Sequence, residues 1–243
     1  MKSLFPFHAA SAKDAAETNH KYRVRTMKIV GVIGAGQMGV GIAQVTAQAG
    51  YQVLLSDLDL DTAQGGKDKI AKSVARLVER EKMTALEADE LLANITPVDS
   101  VNAFGPADLV IEAATEREEI KRRIFESVRL VLRDDAILAS NTSSIPITRM
   151  AQAAPDARRF IGLHFFNPVP VMGLIEIIRG LATSDETVKK VAAYATALKK
   201  EIVYAEDEPG FVVNRILLPM INEAVFVLGQ GTANIADIDK GCR

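Results

Sequence analysis

The sequence predicts an α/β fold: a doubly wound, mostly parallel sheet with antiparallel edge strands, followed by the start of an all-α C-terminal domain. Three observations predict it. Short β-branched runs alternate with helical periodicities from Met27 to Tyr204, the pattern of strands joined by crossover helices. A G-x-G-x-x-G spans Gly34-Ala35-Gly36-Gln37-Met38-Gly39, at the first strand-to-helix junction. After Pro209-Gly210 the strand signal ends and an apolar stretch, Phe211–Gly229, takes over.

Each element has its own signal. Met27–Ile33 is β-branched and ends in glycine, so it reads as a strand. Gln37–Ala49 reads as a helix, with Met38, Ile42 and Val45 on one face and Gly50 as its stop. Gln52–Ser56 is a strand. Asp61 or Thr62 caps a helix running toward Glu81, striped by Ile70, Val74, Leu77 and Val78. Thr84–Asn94 reads as a helix and Asn94–Val98 as a short strand. Asp108–Glu112 is a buried-type strand. Glu116–Leu132 is a helix whose charges form a solvated face, with i,i+4 pairs Glu118–Arg122 and Glu119–Arg123. Ala136–Ser140 is a strand, Ile147–Ala153 a short helix and Phe160–His164 a strand. Leu174–Ile178 follows after only nine residues, too few for a parallel crossover, so it is expected to run antiparallel. Thr187–Leu198 is a helix and Ile202–Tyr204 the last strand. Phe211–Gly229 is apolar on nearly every side, with Pro219 as a kink, and needs cover from a second layer or a partner subunit.

Composition narrows the function classes. The chain has 243 residues, 48% apolar and 25% charged, which excludes a disordered or low-complexity chain. A net charge of −2 provides no field for a polyanion, so a nucleic-acid partner is not expected. No apolar run is long enough for a transmembrane helix, and no membrane association is expected. Cys242 is the only cysteine, so no internal disulfide or cysteine-based zinc site forms, no metal is expected, and a reducing, cytoplasmic setting follows. Residues 1–26 lack the apolar core of a signal peptide, and Asp14 and Glu17 speak against a transit peptide, leaving a mobile N-terminal extension. The expected domains are that extension, a dinucleotide-binding domain over residues 27–208, and a partial helical domain over 209–243. Ala236–Lys240 reads as the start of a helix cut short, so the chain is expected to be truncated at Arg243.

The glycine turn makes the sheet Rossmann-like. Gly34 permits the tight turn, Gly36 lets the backbone approach a pyrophosphate, and Gly39 allows close helix–strand packing. Ala35, Gln37 and Met38 complete the cradle, where the free N–H groups of the helix start face the phosphates. A glycine turn without ligand is the bland alternative. Asp57, 18 residues after Gly39, ends the second strand. A carboxylate there accepts the ribose hydroxyls and repels a 2′-phosphate, which favours NAD over NADP. The alternative is a turn cap; Asp59 is a rival that falls one turn too late.

The catalytic candidates lie further on. His164 ends a predicted strand at the ligand-binding edge, and it is the only histidine outside the N-terminal extension, which holds His8 and His20. It is the natural base for removing a hydroxyl proton, although a lone strand histidine is as readily structural. Glu176, on the following strand, can return beside it and fix its tautomer. Ser140-Asn141-Thr142-Ser143-Ser144 ends another strand at the same edge, either facing the cofactor or capping the Ile147 helix.

Four segments in order, namely the glycine turn, Ser140–Ser144, His164-Phe165-Phe166-Asn167-Pro168 and Pro209-Gly210-Phe211-Val212-Val213-Asn214-Arg215, resemble the 3-hydroxyacyl-CoA dehydrogenase family, most of all its bacterial 3-hydroxybutyryl-CoA branch. The resemblance covers Met27 to Arg243. It implies His164 as catalytic base, Glu176 as its orienting partner, Ser143 as a contact to substrate and nicotinamide, and Asn214 as completing the substrate site. Glu116, Lys121 and Asn167 match cofactor contacts. Ser73 and Arg80 fall where the family contacts the CoA moiety, Arg80 replacing a lysine; Gly173 also stands where relatives often carry lysine. The implied reaction is NAD-dependent oxidation of (S)-3-hydroxyacyl-CoA to 3-oxoacyl-CoA and its reverse on acetoacetyl-CoA, in fatty acid β-oxidation or butanoate metabolism, by a homodimer. The alternatives are a dehydrogenase of a non-CoA hydroxy acid, of gulonate or carnitine type, and a non-catalytic NAD-binding protein.

Overall fold

The computed structural model describes residues 27–242. The extension 1–26, with His8 and His20, lies outside the described residues. Eight strands form one sheet: β1 (Ile29–Ile33), β2 (Gln52–Ser56), β3 (Ile95–Val98), β4 (Leu109–Glu112), β5 (Ile137–Ser140), β6 (Phe160–Phe165), β7 (Leu174–Arg179) and β8 (Glu201–Glu206). Their order is β3-β2-β1-β4-β5-β6-β7-β8. The first six strands run parallel, β7 is antiparallel to β6, and β8 is parallel to β7. The direction of β7 follows the expectation from its short connection.

The helices are α1 (Gln37–Gln48), α2 (Leu60–Glu79), α3 (Ala85–Ala93), α4 (Glu118–Arg129), α5 (Ile147–Met150), α6 (Asp185–Ala197), α7 (Val213–Gly229) and α8 (Ile235–Gly241). Helices α1 to α6 cover both faces of the sheet, over two buried clusters. One is centred on Val30, Val32, Ile42, Leu55 and Ile111, the other on Phe104, Val110, Phe125 and Phe160. Strands β4, β5 and β6 are buried along their whole length, as a sheet with both faces covered requires.

Three local expectations are corrected. Asp59, not Asp61 or Thr62, caps α2: its extended backbone lets its carboxylate accept the Thr62 N–H at 2.7 Å. Glu118 pairs with Arg149 at 2.6 Å rather than with Arg122, because α5 lies against the start of α4. Finally, α7 begins at Val213, since Phe211 takes a left-handed backbone (φ 50°) after Gly210 (φ 79°). No residue of α7 is buried, and Ile216, Leu218, Val225 and Phe226 are more than half exposed. No helix among the described residues is long and apolar enough to cross a membrane.

Candidate functional site

The glycine turn joins β1 to α1 with a geometry only glycine accepts. Gly34 has φ 104°, and a Cβ there would stand 2.6 Å from the Ala113 carbonyl oxygen. A Cβ on Gly39 would lie 1.7 Å from the Gly34 carbonyl oxygen. Gly36 differs: a Cβ there would meet nothing within 4 Å, because the residue faces an open cleft. Gly36 is also the N-cap of α1, with no side-chain cap and no acid in the first turn. The uncapped N–H groups and positive end of α1 therefore face the cleft, which suits an anionic pyrophosphate.

Asp57 stands at the end of β2, beside this turn. Its carboxylate accepts the N–H groups of Ala35 and Leu58. One backbone bond per oxygen leaves lone pairs for hydroxyl donors, and the site fits a dinucleotide on both counts. Gln37 donates from Nε2 to Asn167 Oδ1 at 3.0 Å and so ties the turn to the segment that follows His164. Val169, two residues on, packs where a Cβ on Gly41 would stand 2.7 Å away. Lys200 donates to the carbonyls of Val169 (2.6 Å) and Met172 (2.5 Å), holding this loop from its other side.

The cleft has a volume of about 460 Å³ and brings together Gly36, Gln37, Met38, Glu116, Lys121, Ser143, His164, Asn167 and Asn214. His164 and Glu176 are directly opposite each other on β6 and β7. His164 is 4% exposed and Glu176 fully buried. The ring Nδ1 lies 2.7 Å from Glu176 Oε2. An ionised carboxylate only accepts, so Nδ1 carries a proton, and in the neutral ring Nε2 is then the nitrogen with the lone pair. Nε2 lies 3.0 Å from the Ser143 hydroxyl, which donates to it in that tautomer. The other Glu176 oxygen, Oε1, accepts the N–H groups of Val212 (3.0 Å) and Val213 (2.9 Å), where α7 begins. Burial alone would raise the Glu176 carboxyl; the bonds from His164, Val213 and Val212 outweigh it and hold the group below the ordinary glutamate range. The imidazole packs between Phe166, 4.6 Å between ring centroids, and Phe211, 5.7 Å and edge-on.

Glu116 gathers the serine-rich loop. Its Oε1 accepts from the Thr142 hydroxyl (2.6 Å) and from the Ser143 (2.8 Å) and Ser144 (3.1 Å) N–H groups. Lys121 is 1% exposed and pairs with Glu112 at 2.6 Å, not with solvent as its place in a charge-rich helix suggested. Asn214, on the first turn of α7, lines the cleft. Ser73 is half-buried on α2 and Arg80 is exposed at its end; neither is among the residues lining the cleft. Pattern reading missed Glu112, Lys200, the packing of Phe211 on His164 and the role of Asn141, whose Oδ1 accepts the Phe165 N–H at 2.8 Å. Asn141 and Phe211 had a signal, their places in the serine-rich loop and in the Pro209–Arg215 segment.

Comparisons with known proteins place the chain in a family. A family model for the 3-hydroxyacyl-CoA dehydrogenase NAD binding domain matches residues 29–208, and one for the 3-hydroxyacyl-CoA dehydrogenase C-terminal domain matches residues 210–243. The 3-hydroxybutyryl-CoA dehydrogenase of Bradyrhizobium diazoefficiens is 47% identical over 217 residues, covering 89% of this chain and 74% of that protein. That of Mycobacterium tuberculosis is 43% identical over 213 residues, covering 87% and 74%. The crystal structure of the (S)-3-hydroxybutyryl-CoA dehydrogenase from Ralstonia eutropha superposes with a TM-score of 0.85 at 46% identity, covering 89% of this chain and 76% of that one.

Proposed function

This chain belongs to the 3-hydroxyacyl-CoA dehydrogenase family, and we propose that it oxidises a short-chain (S)-3-hydroxyacyl-CoA, of which 3-hydroxybutyryl-CoA is the type, to the 3-oxoacyl-CoA, and catalyses the reverse on acetoacetyl-CoA. The protein is an NAD-dependent oxidoreductase. NAD, when bound, takes the hydride released from the substrate's third carbon. Gly34 to Gly39 would hold its pyrophosphate and Asp57 its adenosine ribose, and Glu116, Lys121, Ser143 and Asn167, gathered at the same cleft, would hold the rest of it.

His164 does the proton chemistry. Its free Nε2 takes the hydroxyl proton as the C3–O bond becomes a carbonyl, leaving an imidazolium that Glu176 stabilises through Nδ1–H. In reduction the same proton returns to the new alkoxide. Ser143, bonded to Nε2 before substrate arrives, gives up that acceptor and turns to the substrate oxygen. Asn214 closes the cleft from the second domain, whose boundary we set at residue 209. The exposed apolar α7 supports a homodimer built through that domain, and the lone cysteine suits a reducing cytoplasm.

One observation carries the reading: a buried carboxylate fixes Nδ1 while Nε2 faces the cleft beside a serine. Initial rates of NADH oxidation with acetoacetyl-CoA test it. Turnover is expected at submillimolar substrate, and none is expected with free acetoacetate. No turnover at millimolar acetoacetyl-CoA would overturn the proposal, and turnover of a non-CoA hydroxy acid alone would replace it. Both Ser73 and Arg80 remain proposed CoA contacts, reached from outside the cleft.

A further inference from the structure

Glu116 is linked to His164 Nε2 through a single residue, Ser143. It accepts the N–H of Ser143, whose hydroxyl lies 3.0 Å from His164 Nε2. Its side chain is 45% exposed at the cleft, and its Oε2 lies 3.7 Å from the Lys121 ammonium. Lys121 is itself held from behind by the fully buried Glu112, which also accepts from the Ser140 hydroxyl at 2.9 Å. Burial would raise the Glu116 carboxyl, but Thr142, Ser143, Lys121 and Ser144 together hold it below the ordinary glutamate range, so it is ionised at neutral pH. Two carboxylates and one ammonium leave this wall of the cleft with a net charge of −1.

The two redox states of the proposed cofactor differ there by one unit of charge. The oxidised nicotinamide ring is a cation and the reduced ring is neutral. Hydride transfer requires the ring to lie beside the substrate carbon, hence beside Ser143 and His164, which puts it within reach of this charged wall. Every contact to ribose, phosphate and adenine is common to both states and cancels in the ratio of their affinities. A fixed charge at the nicotinamide does not cancel.

We infer that Glu116 discriminates the oxidised from the reduced cofactor, its negative charge favouring the cationic ring, and that Lys121 moderates the preference. The inference rests on the NAD reading above and adds a residue-level cause for the enzyme's redox poise. A unit charge at such range, partly screened by solvent, changes a ratio of affinities on the order of tenfold.

The test is the ratio of dissociation constants, Kd(NADH)/Kd(NAD), measured by titration calorimetry without substrate. Glu116→Gln keeps an oxygen for Thr142, Ser143 and Ser144, so the loop stays capped while the charge goes. The ratio is expected to fall about tenfold, through weaker NAD binding. Glu116→Asp keeps the charge and shortens the reach. It is expected to weaken both nucleotides together and to leave the ratio within about twofold. The double variant Glu112→Gln with Lys121→Met fills the same space without an unpaired buried charge. Because Lys121 lines the cleft and Glu112 sits behind it, this variant is expected to raise the ratio, opposite to Glu116→Gln. An unchanged ratio in Glu116→Gln, or an equal shift in Glu116→Asp, overturns the inference while leaving the NAD reading intact. Failure of the wild-type protein to bind either nucleotide overturns the NAD reading itself.

Discussion

Glu176→Gln changes few atoms and should nearly abolish turnover, for a reason that lies in the hydrogen-bond directions. The Glu176 carboxylate faces one ring nitrogen on one side and two backbone N–H groups, of Val212 and Val213, on the other. A carboxamide has one accepting end and one donating end. The accepting oxygen must stay with the two backbone donors, since turning the amide over would set its NH₂ against both. The NH₂ then points at His164 Nδ1, which has to accept. The imidazole proton moves to Nε2, the atom beside Ser143, and the lone pair that the proposed mechanism uses to take the substrate proton is gone. Tautomer inversion of this kind in a base–orienter pair costs about 10⁴-fold in kcat.

The magnitudes separate chemistry from folding. Replacing charge-assisted bonds by neutral ones at a fully buried position costs about 1–2 kcal/mol of stability, too little to unfold a domain of this size. The glycine turn is untouched, so NADH affinity is expected to stay within about twofold. Steady-state reduction of acetoacetyl-CoA with a parallel NADH titration makes the measurement; a kcat loss under tenfold refutes the tautomer argument. Stability carries an independent sign. The folded-state pKa of Glu176 is depressed, so its contribution is full above the ordinary glutamate value near 4.3 and is lost as pH falls through the folded value. The difference in Tm between wild type and Glu176→Gln is therefore expected to shrink on acidification below about pH 4.3.

Two further outcomes follow from the geometry. Gly39→Ala sets a Cβ 1.7 Å from the Gly34 carbonyl oxygen, so the turn must open, and NADH affinity measured by calorimetry is expected to fall at least about a hundredfold through lost backbone–phosphate contacts; unaltered affinity would show that the turn does not hold the nucleotide. Phe211→Ala empties a position that is 5% exposed and edge-on to His164, with an expected loss of about 3 kcal/mol in urea melts and a fall in kcat, and Phe211→Leu is expected to recover most of the stability; an Ala variant as stable as wild type would contradict the packing role.

Much of this site was legible because its chemistry is local. The glycine turn, Asp57 and the serine-rich loop each declare themselves within a few residues of a strand end, and the short connection after His164 fixes the direction of β7. The illegible part is carried by groups with no side-chain signature. Nothing in Val212 or Val213 says that their N–H groups will hold a carboxylate. Lys121 sits in a run of charges that reads as a solvated face, yet a buried glutamate on β4 draws it inward. Asp59 displaced the expected caps because a cap depends on backbone dihedrals, and residue type alone does not set those.

The reversal between β6 and β7 explains why the site lies where it does. Six parallel strands deliver their C-terminal ends to one edge, and ligands bind there. A seventh parallel strand would have needed a crossover back to the opposite edge, longer than the connection present. Running antiparallel, β7 begins at the binding edge, so Glu176 meets His164 as a directly opposed pair sharing one face of the sheet. The same reversal leaves β8, parallel to β7, ending on the way to Asp207. There both carboxylate oxygens of Asp207 accept N–H groups of Ile147 and Thr148, just beyond the serine-rich loop. The chain then turns through Gly210 and Phe211 to set Val212 and Val213 against Glu176. One carboxylate thus orients the His164 ring with one oxygen and holds the start of α7 with the other, so the tautomer of the proposed base and the position of the first turn of α7 depend on the same side chain.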